Sequence, residues 1–252
     1  MDSNVIIWGS LRFFIDTLKH LPVSEILPLS ENGSCCVSTG TASENWVYCP
    51  EREITPEIVN DVVRFFGERD EAFMWPVYAD SDSNSEILEG AGVTHAGDLT
   101  AMCLAPEKVS LRVQEGVTFE GVTSENAGVW AKTMWLGFGG EGDVPEEYCR
   151  FAGALACSRE NVSLFATKCC GKYAGTFAVT HEPEFMGVYY FATVPSFRRK
   201  GIASAMMTEI CRLSAGKRIV LQATPTGAKF YRAFGFTELF RIPVYSTDSD
   251  IL

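Results

Sequence analysis

The chain has 252 residues, 46% of them hydrophobic and 21% charged, with 21 Lys and Arg against 32 Asp and Glu. That composition suits a folded globular chain with apolar material for one large domain or two smaller ones, and the net charge of −11 argues against nucleic acid as a main partner. No apolar run nears a membrane span, the opening MDSN lacks the basic and apolar regions of a secretory leader, and the nine cysteines are scattered without zinc spacing. Together these predict a cytoplasmic protein with no metal and mostly buried thiols.

The first half reads as alternating helices and short strands. Residues 10–20 are predicted helical, CCVST and NWVYC as strands, and 55–67 as a helix with Thr55 as N-cap and Pro56 at its first position. AFMWPVYA is an edge strand or a bulge because it contains Pro76. DSDSNSE is a polar loop, SEILEGAG a short helix ended by glycine, and THAGDLTAMCLAP a last strand. No catalytic constellation is visible there.

Charge changes along the chain. Residues 1–118 carry 7 basic and 19 acidic side chains; residues 119–252 carry 14 and 13. This split predicts two units, 1–116 and 117–252. In the second, VTFEGVT is a strand and Ser124 caps a helix carrying Ala127, Val129, Trp130, Met134 and Trp135. GFGGEGD is a flexible loop, and VPEEYCRFAGALAC is a second helix with Pro145 in its first turn. VSLFATKC and KYAGTFAVTHE are strands joined at Gly171, followed by the strand GVYYFATV, an amphipathic helix over 199–214, the strand RIVLQA, the helix GAKFYRAFG and the strand LFRIPVYS. The order β-α-α-β-β-β-α-β-α-β implies an α/β fold, a mixed sheet with helices on its faces.

The most informative stretch is FMGVYYFATVPSFRRKGIAS, residues 185–204. An aromatic strand runs into Val194 and Pro195, then Arg198, Arg199, Lys200 and Gly201, then a helix. The first amides of a helix have no internal partner and sit at the positive end of its dipole, so this junction is suited to phosphate. Gly201 lets a ligand approach the backbone.

The strand-to-basic-turn junction resembles the GCN5-related N-acetyltransferase (GNAT) superfamily. Arg198-Arg199-Lys200-Gly201-Ile202-Ala203 fits that family's acetyl-CoA motif, and LQATPTGAKFYRAFGF about 30 residues later resembles its second signature. The resemblance covers residues 117–246. It implies a GNAT acyl-CoA N-acyltransferase fold, with the pyrophosphate of acetyl-CoA on the amides of residues 199–204. The exposed backbone of Ala192, Thr193 and Val194 would pair with the pantetheine arm, and a strand amide near Thr193 would hold the thioester oxygen. Ile202, Ala203 and Ser204 complete the expected cofactor contacts. Tyr231 is implied as the acid for the departing thiolate. Val194-Pro195 stands where the family has a bulge, and the family's usual Asn is replaced by the segment Gln222-Ala223-Thr224-Pro225.

The implied reaction is direct acetyl transfer from acetyl-CoA to an amine acceptor, in a monomer or homodimer without nucleic-acid or membrane partners. The competing reading is a non-catalytic acyl-CoA-binding sensor or scaffold. A nucleotide-binding enzyme fits less well, because the glycine spacing is not that of a dinucleotide fingerprint. Glu182, His181, Glu184 and Glu141 are open candidates for the base, each more often a surface residue, as are His20 and His95. Residues 1–116 resemble the degenerate N-terminal half of two-domain members and are expected to form one wall of the acceptor pocket. Trp130, Trp135, Phe138 and the GFGGEGD loop are expected at another, with core packing the more common role for each tryptophan.

Overall fold

Apolar residues at Ile6, Ile7, Leu11, Phe14, Ile15 and Leu18 recur at helical spacing, and all are buried. They make one face of α1, Ser3–Lys19, which begins well before the predicted residue 10. The computed structural model describes residues 3–51, 53–78, 82–106 and 114–251. β1 (Glu25–Pro28), β2 (Cys35–Ser38) and β3 (Trp46–Tyr48) form a small antiparallel sheet in that order. β1 is an exposed four-residue strand that the sequence pattern did not reveal. Thr55 caps α2 (Pro56–Gly67) as predicted, accepting from the Ile58 amide at 3.4 Å.

β4 is reduced to Trp75–Pro76 at a sheet edge, where proline is tolerated. α3 spans Asp82–Gly90, so most of the predicted polar loop is helical; residues 79–81 of these two predictions lie outside the described residues. β5 is Thr94–Leu104 and β6 Val117–Gly121. Then come α4 (Ala127–Gly137), α5 (Glu146–Cys157), β7 (Val162–Cys169), β8 (Lys172–Thr180), β9 (Phe185–Thr193), α6 (Ile202–Leu213), β10 (Arg218–Ala223), α7 (Pro225–Phe234) and β11 (Thr237–Ser246). The N-cap position of α4 is Asn126 rather than the predicted Ser124.

Among the described residues the main sheet has eight strands in the order β4-β11-β5-β10-β9-β8-β7-β6. β5, from before residue 117, lies antiparallel between β10 and β11, with Ile219 opposite Leu104 and Ile242 opposite Leu99. β9 and β10 are parallel. Alternation along the strands divides the core into two layers. Ala178 and Val220 join α1, α4 and α5 on one face, and Phe177, Val179, Ile219 and Leu221 join α6 and α7 on the other. A third cluster packs α2 and α3 against Val47, Trp75 and Tyr245.

All nine cysteines are free thiols. Cys35, Cys36, Cys49 and Cys211 are buried, whereas Cys157 and Cys170 are exposed, so burial is less general than expected. Among the described residues no helix is long and apolar enough to cross a membrane.

Gly175 on β8 is required by close packing: a Cβ there would stand 2.6 Å from the Ala192 carbonyl oxygen and 3.0 Å from Met206 Sδ. Because the nearest atom is backbone, Gly175→Ala is expected to lower stability by about 1–3 kcal/mol. Urea unfolding checks this; an unchanged midpoint would contradict the packing described.

Candidate active site

The site begins where two strands separate. β9 and β10 are paired only from Phe185–Gly187 with Arg218–Val220, yet β9 runs on to Thr193 and β10 to Ala223. Gly187 closes the paired stretch, and a Cβ on it would meet Ser10 Oγ at 2.5 Å and Thr180 Oγ1 at 2.6 Å. Just beyond, β9 bulges. Thr176 faces Ala192 and Ala178 faces Tyr189, so Tyr190 and Phe191 together oppose Phe177. Tyr190 takes φ 52°, a left-handed conformation unusual for a bulky residue, and its carbonyl accepts from Thr176 Oγ1 at 2.9 Å.

The bulge therefore lies at Tyr190–Phe191 rather than at Val194–Pro195. It also changes which backbone is open. The Val194 amide donates to the Ala174 carbonyl at 2.9 Å, so it is not free as expected. Ala192, two residues away, turns to the same side and pairs with Thr176. Strand alternation turns Phe191 and Thr193 toward the opening instead.

Past β9, residues Pro195–Phe197 form a 3₁₀ turn. Arg198 does not offer its guanidinium to the turn. Nε donates to the Thr193 carbonyl at 3.2 Å and Nη2 to the Gly137 carbonyl at 3.0 Å, tying the strand end to α4. Arg199 (φ 63°) and Gly201 (φ 77°) are both left-handed, which starts α6 at Ile202 rather than at the predicted residue 199. The first α6 bond runs from the Ala205 amide to the Gly201 carbonyl at 2.9 Å. This leaves the amides of Gly201, Ile202, Ala203 and Ser204 without intrahelical acceptors. The side chains of Arg199, Lys200 and Ser204 are exposed, and Lys200 Nζ lies 5.3 Å from the centre of the Phe197 ring. Ile202 is buried in the core, so only its backbone can meet a ligand. Unpaired amides at a helix start beside exposed basic side chains are an arrangement suited to an anion, here at the mouth of the strand split.

A cavity of about 580 Å³ fills the split. Val188 to Phe191 of β9 and Leu221 to Ala223 of β10 line it, with Thr224, Gly227 and Tyr231 of the α7 segment. Tyr231 is buried, packed against Phe191 and Phe236 at ring-centre distances of 5.7 and 5.3 Å. Among the described residues its hydroxyl has no hydrogen-bond partner. Burial pushes its pKa up, so the phenol stays protonated.

Trp135, Phe138, Gly139 and Gly140, expected at the acceptor side, line this cavity. Trp130 does not: it is fully buried and donates Nε1 to the Phe165 carbonyl at 3.2 Å. Residues of the first half also line the cavity, among them Phe14, Glu44, Trp46 and Met74.

None of the four open base candidates lines the cavity. Glu141 and Glu184 are exposed, and His181 is exposed and bonded to Ser163 Oγ at 2.7 Å. His20 and His95 are exposed too. Glu182 is buried, accepts from Thr180 Oγ1 at 2.5 Å, and has its other oxygen unpartnered among the described residues. Burial raises its pKa to about 7. The folded protein thus keeps a proton that the unfolded chain loses at about 4.3. The resulting stability is full below that pH and is lost as pH rises through 7. Glu182→Gln is expected to recover on the order of 2 kcal/mol at pH 8 relative to pH 5. Urea unfolding of both proteins at the two pH values checks this; equal pH dependence would contradict it.

Sequence reasoning missed Glu44. It follows Ser43 in a 3₁₀ turn, Ala42–Glu44, and is 6% exposed at the cavity. Tyr190 donates its hydroxyl to Glu44 Oε2 at 2.6 Å. The sequence SEN between two short strands carries no local signal for this.

Residues 160–238 match the family model described as acetyltransferase (GNAT) domain. No curated protein matches the chain in sequence. Among solved structures, a GCN5-related N-acetyltransferase from Kribbella flavida aligns with TM-score 0.64 and 15% identity, covering 96% of this chain and 95% of that one. A tandem GNAT protein from the clavulanic acid biosynthesis pathway aligns with TM-score 0.59 and 12% identity, over 94% and 87% of the two chains. A GCN5-related N-acetyltransferase-like protein from Streptococcus suis aligns with TM-score 0.58 and 12% identity, over 95% and 94%. At such identities the likeness is one of fold, a mixed α/β GNAT fold consistent with two GNAT-like units.

Proposed function

We propose that this protein is an enzyme of the GNAT superfamily that transfers the acetyl group of acetyl-CoA directly to a primary amine. The observation that carries this reading is the β9–β10 split, with the 201–204 amide cradle at its mouth and Tyr231 on its wall. The pyrophosphate binds the four amides, with Arg199 and Lys200 adding positive charge. The pantetheine arm runs along the backbone of Phe191 and the amide of Thr193, whose carbonyl Arg198 holds, as a peptide adds to a sheet edge. A strand amide there polarises the thioester carbonyl. Tyr231, kept neutral by burial, donates a hydrogen bond to the sulfur as it gains charge.

The amine attacks the carbonyl carbon, a C–N bond forms, the C–S bond breaks, and CoA leaves. Arg198 serves by holding the strand end in place rather than by touching phosphate. The division into 1–116 and 117–252 belongs to this reading, with the first unit contributing wall residues to the acceptor side. A cytoplasmic setting belongs to it as well, and the nine free thiols support it. Release of CoA thiol from acetyl-CoA, followed with and without a panel of amines, tests the proposal. Amine-dependent release is expected. Binding of acetyl-CoA without release for any amine would make the protein a sensor or scaffold instead.

A further inference from the structure

We propose that the first half of the chain supplies the acceptor site. In it Glu44, set among aromatic walls beside the split strand, binds and deprotonates the ammonium group of a compact amine with an apolar or aromatic body. This rests on the N-acetyltransferase reading above.

Glu44 is held rigidly. Its amide donates to the Thr41 carbonyl at 2.8 Å, and its carbonyl accepts from Thr39 Oγ1 at 3.3 Å. The next residue, Asn45, is fixed by the Thr39 amide at 2.8 Å and by its own donation to the Ala72 carbonyl at 2.9 Å. The carboxylate oxygens meet two neutral donors, Tyr190 at 2.6 Å and Ser43 Oγ at 3.3 Å. Among the described residues it forms no ion pair, and no Lys or Arg lines the cavity. The other charged lining residue is Asp250. A buried carboxylate without a cation is costly, so Glu44 tends to keep its proton, and a ligand ammonium beside it favours the ionised form.

The walls specify the rest of the ligand. Phe14, Met74, Leu99 and Met134 are apolar, the Trp46 ring adds an aromatic face with its buried Nε1 unpartnered among the described residues, and Trp135 and Tyr148 stand with ring centres 5.1 Å apart. Aromatic faces suit a cation and a ring. Hydroxyls of a sugar or the backbone of a peptide would lose water against those apolar faces. The link to the thioester is covalently short, because Tyr190, which bonds Glu44, immediately precedes Phe191 at the open bulge.

Burial raises the Glu44 pKa to about 8, against the hydrogen bonds from Tyr190 and Ser43 that lower it. The titratable groups facing it are Tyr190 of β9 and Tyr148 of α5, the latter bonded to Ser43 Oγ at 3.1 Å. Both phenols are held protonated by burial. In the reaction the ammonium loses two protons. One passes to the Glu44 carboxylate, which frees the attacking lone pair, and thence to solvent. The other leaves the nitrogen after the C–N bond forms and balances the thiolate released when the C–S bond breaks, giving amide and free CoA thiol.

The test uses the full chain, acetyl-CoA and three probe amines: 2-phenylethylamine, glucosamine and a short peptide with a free N-terminus. kcat/KM for phenylethylamine is expected to exceed that for the other two by about 100-fold or more. Glu44→Gln should lower it by about 100-fold with acetyl-CoA affinity unchanged. The wild-type profile of kcat/KM should show an acid limb with its midpoint near pH 8, absent in that variant. Tyr190→Phe keeps the carboxyl but removes a donor to its ionised form, so it should move the midpoint upward. Glucosamine or the peptide serving as well as phenylethylamine, or Glu44→Gln staying within threefold of wild type, would overturn the proposal. So would binding of acetyl-CoA with no transfer to any probe, an outcome that leaves the cradle standing. Failure of acetyl-CoA to bind would overturn the underlying reading itself.

Discussion

Gly201→Val should weaken acetyl-CoA binding at least about 100-fold while leaving the chain folded. Gly201 holds φ at 77° as the N-cap of α6, and a β-branched residue resists that conformation at a cost of roughly 1–2 kcal/mol. A Cβ there would stand 2.8 Å from Gln114 Oε1, the end of a flexible side chain that can give way, so the expected stability loss is the strain alone. Binding suffers more. Arg199 and Gly201 both turn left-handed, which sets the direction of the 201–204 amides that in this account meet the pyrophosphate, and a relaxed turn re-aims several donors together. Calorimetric titration reads the affinity and thermal unfolding reads the fold. A folded variant that binds within threefold of wild type would remove the cradle from the site.

Tyr231→Phe should lower kcat by about 10- to 100-fold with little change in the acetyl-CoA dissociation constant. The ring is packed between Phe191, Phe230 and Phe236, and phenylalanine keeps that packing. What disappears is the hydroxyl, whose partner in this account is the departing sulfur. Because burial holds the phenol protonated, the loss should be the same at pH 6 and pH 8. Steady-state kinetics at both pH values, with calorimetry for affinity, check it. Unchanged turnover would reduce Tyr231 to packing.

Much of this architecture was legible because local signals and tertiary demands agree. Thr55-Pro56 marked α2 as a capped helix and the structure caps it there. The same pair recurs as Thr224-Pro225, where Thr224 Oγ1 accepts from the Gly227 amide at 3.3 Å. α7 therefore starts two residues before the predicted Gly227. Gly201 marked the turn into α6, and its left-handed φ of 77° is one that glycine adopts without strain.

Other features had no local signature. Tyr189, Tyr190 and Phe191 read as an unbroken strand, and a bulge at a tyrosine with positive φ is imposed by the surrounding sheet. Arg198 looked like a phosphate ligand by residue type, but its guanidinium is held by two carbonyls. Insertion of β5 between β10 and β11 joins residues more than a hundred positions apart, beyond the reach of periodicity. Glu44 enters the cavity for the same reason: it becomes a site residue only once the first half packs against β9.

The central claim is that the split strands bind acetyl-CoA, and titration of the intact chain with acetyl-CoA, followed by calorimetry and by thermal unfolding, tests it most directly. One molecule should bind per chain, and ligand at 100 times its dissociation constant should add about 2.7 kcal/mol of stability, seen as a rise of several degrees in Tm. No heat of binding and an unchanged melting curve at saturating acetyl-CoA would contradict it.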